Sequence, residues 1–119
     1  MKFEKNDASN RQLKVGETIK RALSEIINNK VYEPFLDKTS VIISEVKMTP
    51  DLRLANVYIY FLFDESITEK VFLENMLSIV PKLKGLLAKK VKLRYMPDIK
   101  FILDESFNQA SKIENLLKD

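Results

Sequence analysis

The chain of 119 residues contains no cysteine, no histidine and only two glycines. Without cysteine there is no disulfide framework and no thiolate nucleophile, and without histidine there is no imidazole base. Zinc sites of the usual Cys/His type are excluded as well. Gly16 and Gly85 alone cannot build a glycine-rich phosphate loop of Walker or Rossmann type. No apolar run approaches the roughly 18 residues of a membrane span, so no membrane association is expected. The opening "MKFEKNDASN" has no hydrophobic signal region, and the lack of cysteine suits the cytosol, so a cytoplasmic protein is expected.

The length fits one domain, large enough to bury a real core without staples. Net charge is a mild +3, but it is unevenly placed. Residues 1–30 carry seven basic and four acidic side chains, and residues 31–80 carry four and eight. From Pro81 to Arg94 there are six basic residues and no acid, and the tail from Tyr95 holds three against five. One strongly basic segment is hidden inside a nearly balanced total.

Polar "KNDASN" reads as a flexible lead over residues 1–10, with Ser9 or Asn10 as a helix cap. From Arg11 to about Asn28, Val15, Ile19, Ala22, Leu23 and Ile26 share one helical face, with Lys14 and Arg21 opposite. "VIISEVKM" over 41–48 is a strand candidate, and "TPDL" supplies a turn. "RLANVYIYFLF" then alternates, with Ala55, Val57, Ile59, Phe61 and Phe63 on one face and Asn56, Tyr58 and Tyr60 on the other. An antiparallel hairpin follows.

"FLFDES" and "FILDES" each end an apolar run with Asp-Glu-Ser. Ser66 with Glu69, and Ser106 with Gln109, fit the capping box, in which the hydroxyl accepts from an orphan helix N–H. Asp64, Glu65, Asp104 and Glu105 then lie near a positive helix end, where carboxylates are favourable. A magnesium or acid–base site built from these four acids is the enzymatic alternative. Since capping accounts for them and nothing else catalytic accompanies them, no catalytic residue, metal or cofactor is expected. "ENML" at 74–77 and "ENLL" at 114–117 echo each other, but neither the basic segment nor the hairpin repeats, which argues against a duplication.

The helix after the first DES spans about Ile67 to Val80 and buries Val71, Phe72, Met76 and Leu77 or their neighbours. Pro81 forces a break or kink at Val80 and starts a second helix with Leu83, Leu86, Leu87 and Val91 on one face. "VKLRYMPDIKFIL" resumes strand-like alternation, with Val91, Leu93 and Tyr95 one way and Lys92 and Arg94 the other, until Pro97 breaks or bulges the run and Ile99 to Leu103 completes it. A last helix over about Ser106 to Lys118 completes an α+β domain, a small sheet covered on one side.

"PKLKGLLAKKVKLR" has a bland reading as a solvated face with cations at a helix C-terminus. Its freedom from acid across fourteen residues favours a phosphate-binding surface instead, with Tyr58, Tyr60 or Tyr95 able to stack on bases. A protein–protein adaptor using the sheet face or edge is the competing class, and its affinity would depend only weakly on salt.

Taken in order, "RQLKVGETIKRALSEII", "SEVKMTPDLRLANVYIYF" and "KLKGLLAKKVKLRYMPDIKFILDESFNQASKIENLL" resemble the ribosome-binding factor A family, and they cover nearly the whole chain from Arg11. The resemblance implies a type II KH-like fold of order α-β-β-α(kink)α-β, with helices on one face of a three-stranded sheet. Residues 11–104 would form this RNA-binding domain, and 105–119 a C-terminal helical extension. It further implies a monomeric, non-catalytic assembly factor that binds the immature small (30S) ribosomal subunit and its rRNA. Such factors assist late maturation of the rRNA 5′ end and matter most in the cold. A generic KH-like RNA-binding or adaptor module is the alternative.

The expected rRNA contacts are Lys82, Lys84, Lys89, Lys90, Lys92 and Arg94, helped by Lys14 and Arg21. Where the family usually has an Ala-x-Gly kink, this chain has Ile79, Val80 and Pro81, so side-chain contacts should dominate there. Ser106→Ala is expected to cost about 0.5–2 kcal/mol of stability through the lost cap, measured by urea unfolding.

Overall fold

Residues 8–29, 40–62 and 68–104 are described by a computed structural model of the chain. Helix α1 spans Asn10–Asn28 and is capped by Ser9, whose hydroxyl accepts from the Gln12 N–H while the Gln12 side chain returns to the Ser9 N–H. Ser9 is one of the two caps that the sequence offers. Two strands follow, β1 over Ser40–Met48 and β2 over Leu54–Leu62, paired antiparallel. Helices α2, Glu69–Ser78, and α3, Val80–Lys90, lead to β3, Asp98–Leu103, which pairs parallel to β2. The sheet order β1-β2-β3 places β2 in the centre.

This α-β-β-α-α-β order on a mixed three-stranded sheet is the expected α+β, type II KH-like arrangement. Parallel pairing of neighbouring strands requires a long crossover, and α2 with α3 provides it. The inward residues of β2, Ala55, Val57 and Ile59, are fully buried, as their alternation predicts. They join Ile19 and Leu23 of α1, Phe72 and Met76 of α2, and Leu83 and Leu87 of α3 in one core, so α1, α2 and α3 cover the same sheet face.

Several details depart from the sequence reading. The N-cap of α2 is Thr68, whose hydroxyl accepts from the Val71 N–H at 3.2 Å, and Glu69 is the first helical residue rather than the closing member of a capping box. Ser66, Ser106, Gln109 and the whole C-terminal extension lie outside the described residues. On α2 the buried stripe is Phe72, Met76 and, at its end, Ile79, while Val71 and Leu77 are exposed because they flank that stripe. The helix break falls at Ile79, one residue before the expected Val80. Ile79 adopts φ −96° and ψ 2° and serves both helices as a cap. Pro81 fits the first turn of α3, where its missing N–H costs nothing, so the chain turns just ahead of it.

β1 keeps its core side in register through a bulge at Ser44: Ile43 and Val46 both face inward although only two residues, an even number, lie between them. The Ser44 hydroxyl lies 2.6 Å from the Asp104 carboxylate, and the Asp104 N–H donates to the Ile59 carbonyl at 2.7 Å. Asp104 thus ties the end of β3 back to β1, a role beyond the helix-dipole part expected of it.

The two glycines act oppositely. A Cβ on Gly16 would stand 2.7 Å from the Val46 carbonyl oxygen, so α1 can lie this close to β1 only with glycine there. Gly85, exposed on α3, has nothing within 4 Å of such a Cβ. Gly16→Ala is expected to lose about 1–3 kcal/mol by overpacking. Gly85→Ala should gain about 0.4–1 kcal/mol, with thermal unfolding measuring both.

Candidate nucleic-acid interface

The basic residues sit on α1, on α3 and on the loop that returns from α3 to β3. On α3, Leu83 and Leu87 point into the core, and the lysines occupy the remaining directions. Lys82 and Lys89, two turns apart, are exposed on the outer side. Lys84 lies on the flank toward the sheet and pairs with Asp98, the first residue of β3, at 2.9 Å. Lys90 lies on the flank toward α1 and pairs with Glu25 at 3.1 Å.

Lys92 and Arg94 do not extend a strand. Pro97 is buried and has no N–H for a ladder, so β3 pairing starts only where the Asp98 N–H reaches the Arg53 carbonyl at 2.8 Å. The loop instead follows α1 toward its N-terminus. Val91, with Lys90, meets Thr18, Arg21 and Glu25 in a shallow depression. Further on, Lys92 to Tyr95 face Ser9, Arg11 and Val15 across a deeper groove. Loop and helix together gather Arg11, Arg21, Lys90, Lys92 and Arg94 along one border of the molecule, with Lys14 exposed on the same helix. Lys84 is the outlier, turned to the opposite flank of α3.

Both ion pairs are exposed, with the Asp98 and Glu25 side chains 80% and 55% accessible. Pairs of this kind contribute about 0–1 kcal/mol, so a phosphate can replace either acid cheaply. Of the aromatic residues expected to be open, Tyr95 is 61% exposed, with the Arg53 and Arg94 guanidinium groups 5.6 and 5.7 Å from its ring centre. Tyr58 is half-buried beneath Lys47, and Tyr60 is buried rather than wet. The sequence reading did not find Arg53. Its link to Tyr95 spans the hairpin turn and the last loop, and no local pattern marks it.

The groove's wall is the turn between β1 and β2. Leu52 has φ 61°, a left-handed conformation costing a branched side chain about 1–2 kcal/mol, and it is held by its N–H bond to the Thr49 carbonyl and by packing on the core. Hydrogen bonds from the Thr49 hydroxyl and the Arg53 N–H hold the Asp51 carboxyl below the ordinary carboxylate value. Asp51 therefore supports the turn at neutral pH, and that support is lost only as pH falls through its lowered value. Among the described residues no group of three or more acids could hold a metal ion, and no helix is long and apolar enough to cross a membrane.

A mixed three-stranded sheet, a broken helix pair and a cationic border define the KH-like class of α+β domains. The comparison with known sequences is more specific. The family model of ribosome-binding factor A matches residues 11–117. Ribosome-binding factor A of Rhodopseudomonas palustris strain HaA2 is 39% identical over 112 residues, which cover 93% of this chain and 82% of that protein. The Zymomonas mobilis protein of the same name is 39% identical over 91% of this chain and 76% of its own length. The chain belongs to the ribosome-binding factor A family.

The fold agrees. The crystal structure of ribosome-binding factor A from Thermus thermophilus superposes with a TM-score of 0.65 at 23% identity, over 77% of this chain and 94% of that one. A homology model of the Thermus thermophilus factor, fitted into a cryo-EM map of a complex with the 30S subunit, gives 0.61 at 22% identity over 76% of this chain and 91% of that one.

Glu25→Gln and Asp98→Asn should each change stability by less than about 1 kcal/mol, because the pairs they break are exposed. Each should also delay elution from a heparin column, since each frees a lysine. Thermal unfolding and the eluting salt concentration check the two expectations.

Proposed function

We propose that the protein is a cytoplasmic, monomeric assembly factor that binds the immature small ribosomal subunit through its rRNA. It assists late maturation at the rRNA 5′ end and acts by binding, without catalysis. The observation that carries this reading is the folding of an acid-free basic stretch alongside α1, which turns a sequence run into one cationic border. Membership of the ribosome-binding factor A family supports it, as does the 30S complex of the Thermus thermophilus relative.

Lys82, Lys89, Lys90, Lys92 and Arg94, with Lys14 and Arg21, contact phosphates in this reading. Such contacts fix position without reading sequence. Lys90 makes its contact by leaving Glu25, and Lys84 joins the set only by leaving Asp98.

Co-sedimentation with immature small subunits across a salt series tests the proposal. Wild-type affinity should fall with a log–log slope of about 0.7–0.9 per phosphate neutralised. Replacing Lys89, Lys90 and Lys92 by Glu should abolish co-sedimentation while leaving the unfolding midpoint near that of the wild type. Wild-type binding by the triple variant defeats the assignment, and a shallow slope favours an adaptor that docks on ribosomal protein.

A further inference from the structure

The groove beside the start of α1 is more than a charged surface. It encloses about 530 Å³, within the roughly 300–1,000 Å³ of sites that hold small organic ligands. Its floor is apolar, formed by Val15, Leu52, Leu93 and Pro97. Its rim carries Arg11, Lys92 and Arg94 against one acid, Asp51, whose carboxylate already accepts from Thr49 and Arg53. Tyr95 stands at this rim with its ring exposed and the Arg53 and Arg94 guanidinium groups over it, so a base that stacks on the ring does so by displacing one of them. Phosphate contacts alone would need the cations but neither the ring nor the apolar floor.

We propose that this groove takes one unstacked nucleotide of a single-stranded RNA segment, its base against Tyr95 and the apolar floor and its flanking phosphates on Arg11, Lys92 and Arg94. Unpaired bases stack on aromatic rings and on guanidinium planes, and both surfaces occur here together. An A-form duplex cannot offer an unstacked base, so the groove selects unpaired rRNA. The inference rests on the rRNA-binding reading above and narrows it to a strand type and a pocket. It also gives a use to the strained Leu52, which forms part of the floor.

The test uses the full chain, small ribosomal subunits, a fluorescein-labelled oligouridylate about ten nucleotides long and an RNA duplex of the same length. The wild type should prefer the single strand. Tyr95→Ala should weaken single-strand binding about 5- to 150-fold, and Tyr95→Phe should restore it. The salt slope should be unchanged in Tyr95→Ala and lower by about 0.7 in Arg94→Gln, which separates stacking from phosphate contact. Because Tyr95 is exposed, the unfolding midpoint of these variants should stay at the wild-type value.

Equal binding of duplex and single strand, or wild-type affinity in Tyr95→Ala, overturns the groove assignment. So does a Tyr95→Ala defect seen on whole subunits but not on the oligonucleotide, which would place a ribosomal protein in the groove. Failure of the wild type to bind subunits at all would instead remove the rRNA-binding reading. Subunit binding that survives Tyr95→Ala but not the triple glutamate variant would remove only the groove.

Discussion

Parallel pairing of β2 with β3 is the constraint from which the rest of this molecule follows. Two neighbouring strands that run the same way cannot be joined by a turn, so the chain must leave the sheet and return to the strand's starting end. Here it leaves as α2, breaks at Ile79, and comes back as α3 over the same sheet face. The return ends at Lys90, still some distance from the point where β3 can begin, and the segment from Val91 to Pro97 bridges it. That bridge is pressed against α1, and in that position it carries Lys92, Arg94 and Tyr95.

Electrostatics and packing divide the work along this path. Leu83 and Leu87 hold α3 down by burial, and Lys84 and Lys90 of the same helix contribute little to stability, because their partners Asp98 and Glu25 are exposed. Those two cations can therefore exchange their partners for a ligand at little cost to the fold. Close approach of α1 to β1 at Gly16 brings Arg11 and the hairpin turn to one groove. The turn in turn keeps a leucine in a left-handed conformation and keeps Asp51 occupied with its own backbone.

Much of this was legible in the residues. Alternation in "ANVYIY" correctly gave the buried face of β2, and the spacing of Ile19, Ala22, Leu23 and Ile26 gave that of α1. Acid-free charge from Lys82 to Arg94 marked the segment that borders α1. What was missed depended on contacts distant in sequence or on competition between neighbouring signals. Thr68 took the capping role from Ser66 and Glu69, as a hydroxyl closer to the first buried residue of α2. Pro97 breaks the run, as its missing N–H predicts, and only the placement of Lys92 and Arg94 outside the ladder differs from the alternation read there. Tyr60 looked free on its strand and is buried, and Arg53 gave no signal of its place beside Tyr95. Ion pairing of Lys84 with Asp98 likewise joins residues whose nearness only the crossover creates.

The central claim is that the α1–α3 border, and not the open sheet face, meets the ribosome. Lys47 and Lys100 are exposed on that open face and serve as internal references. Reductive methylation of the protein alone and bound to immature small subunits, read by mass spectrometry, measures the accessibility of every lysine at once. The account predicts strong protection of Lys89 and Lys92 with Lys47 and Lys100 as reactive as in the free protein. Protection of Lys47 and Lys100 with Lys89 and Lys92 unchanged would contradict it.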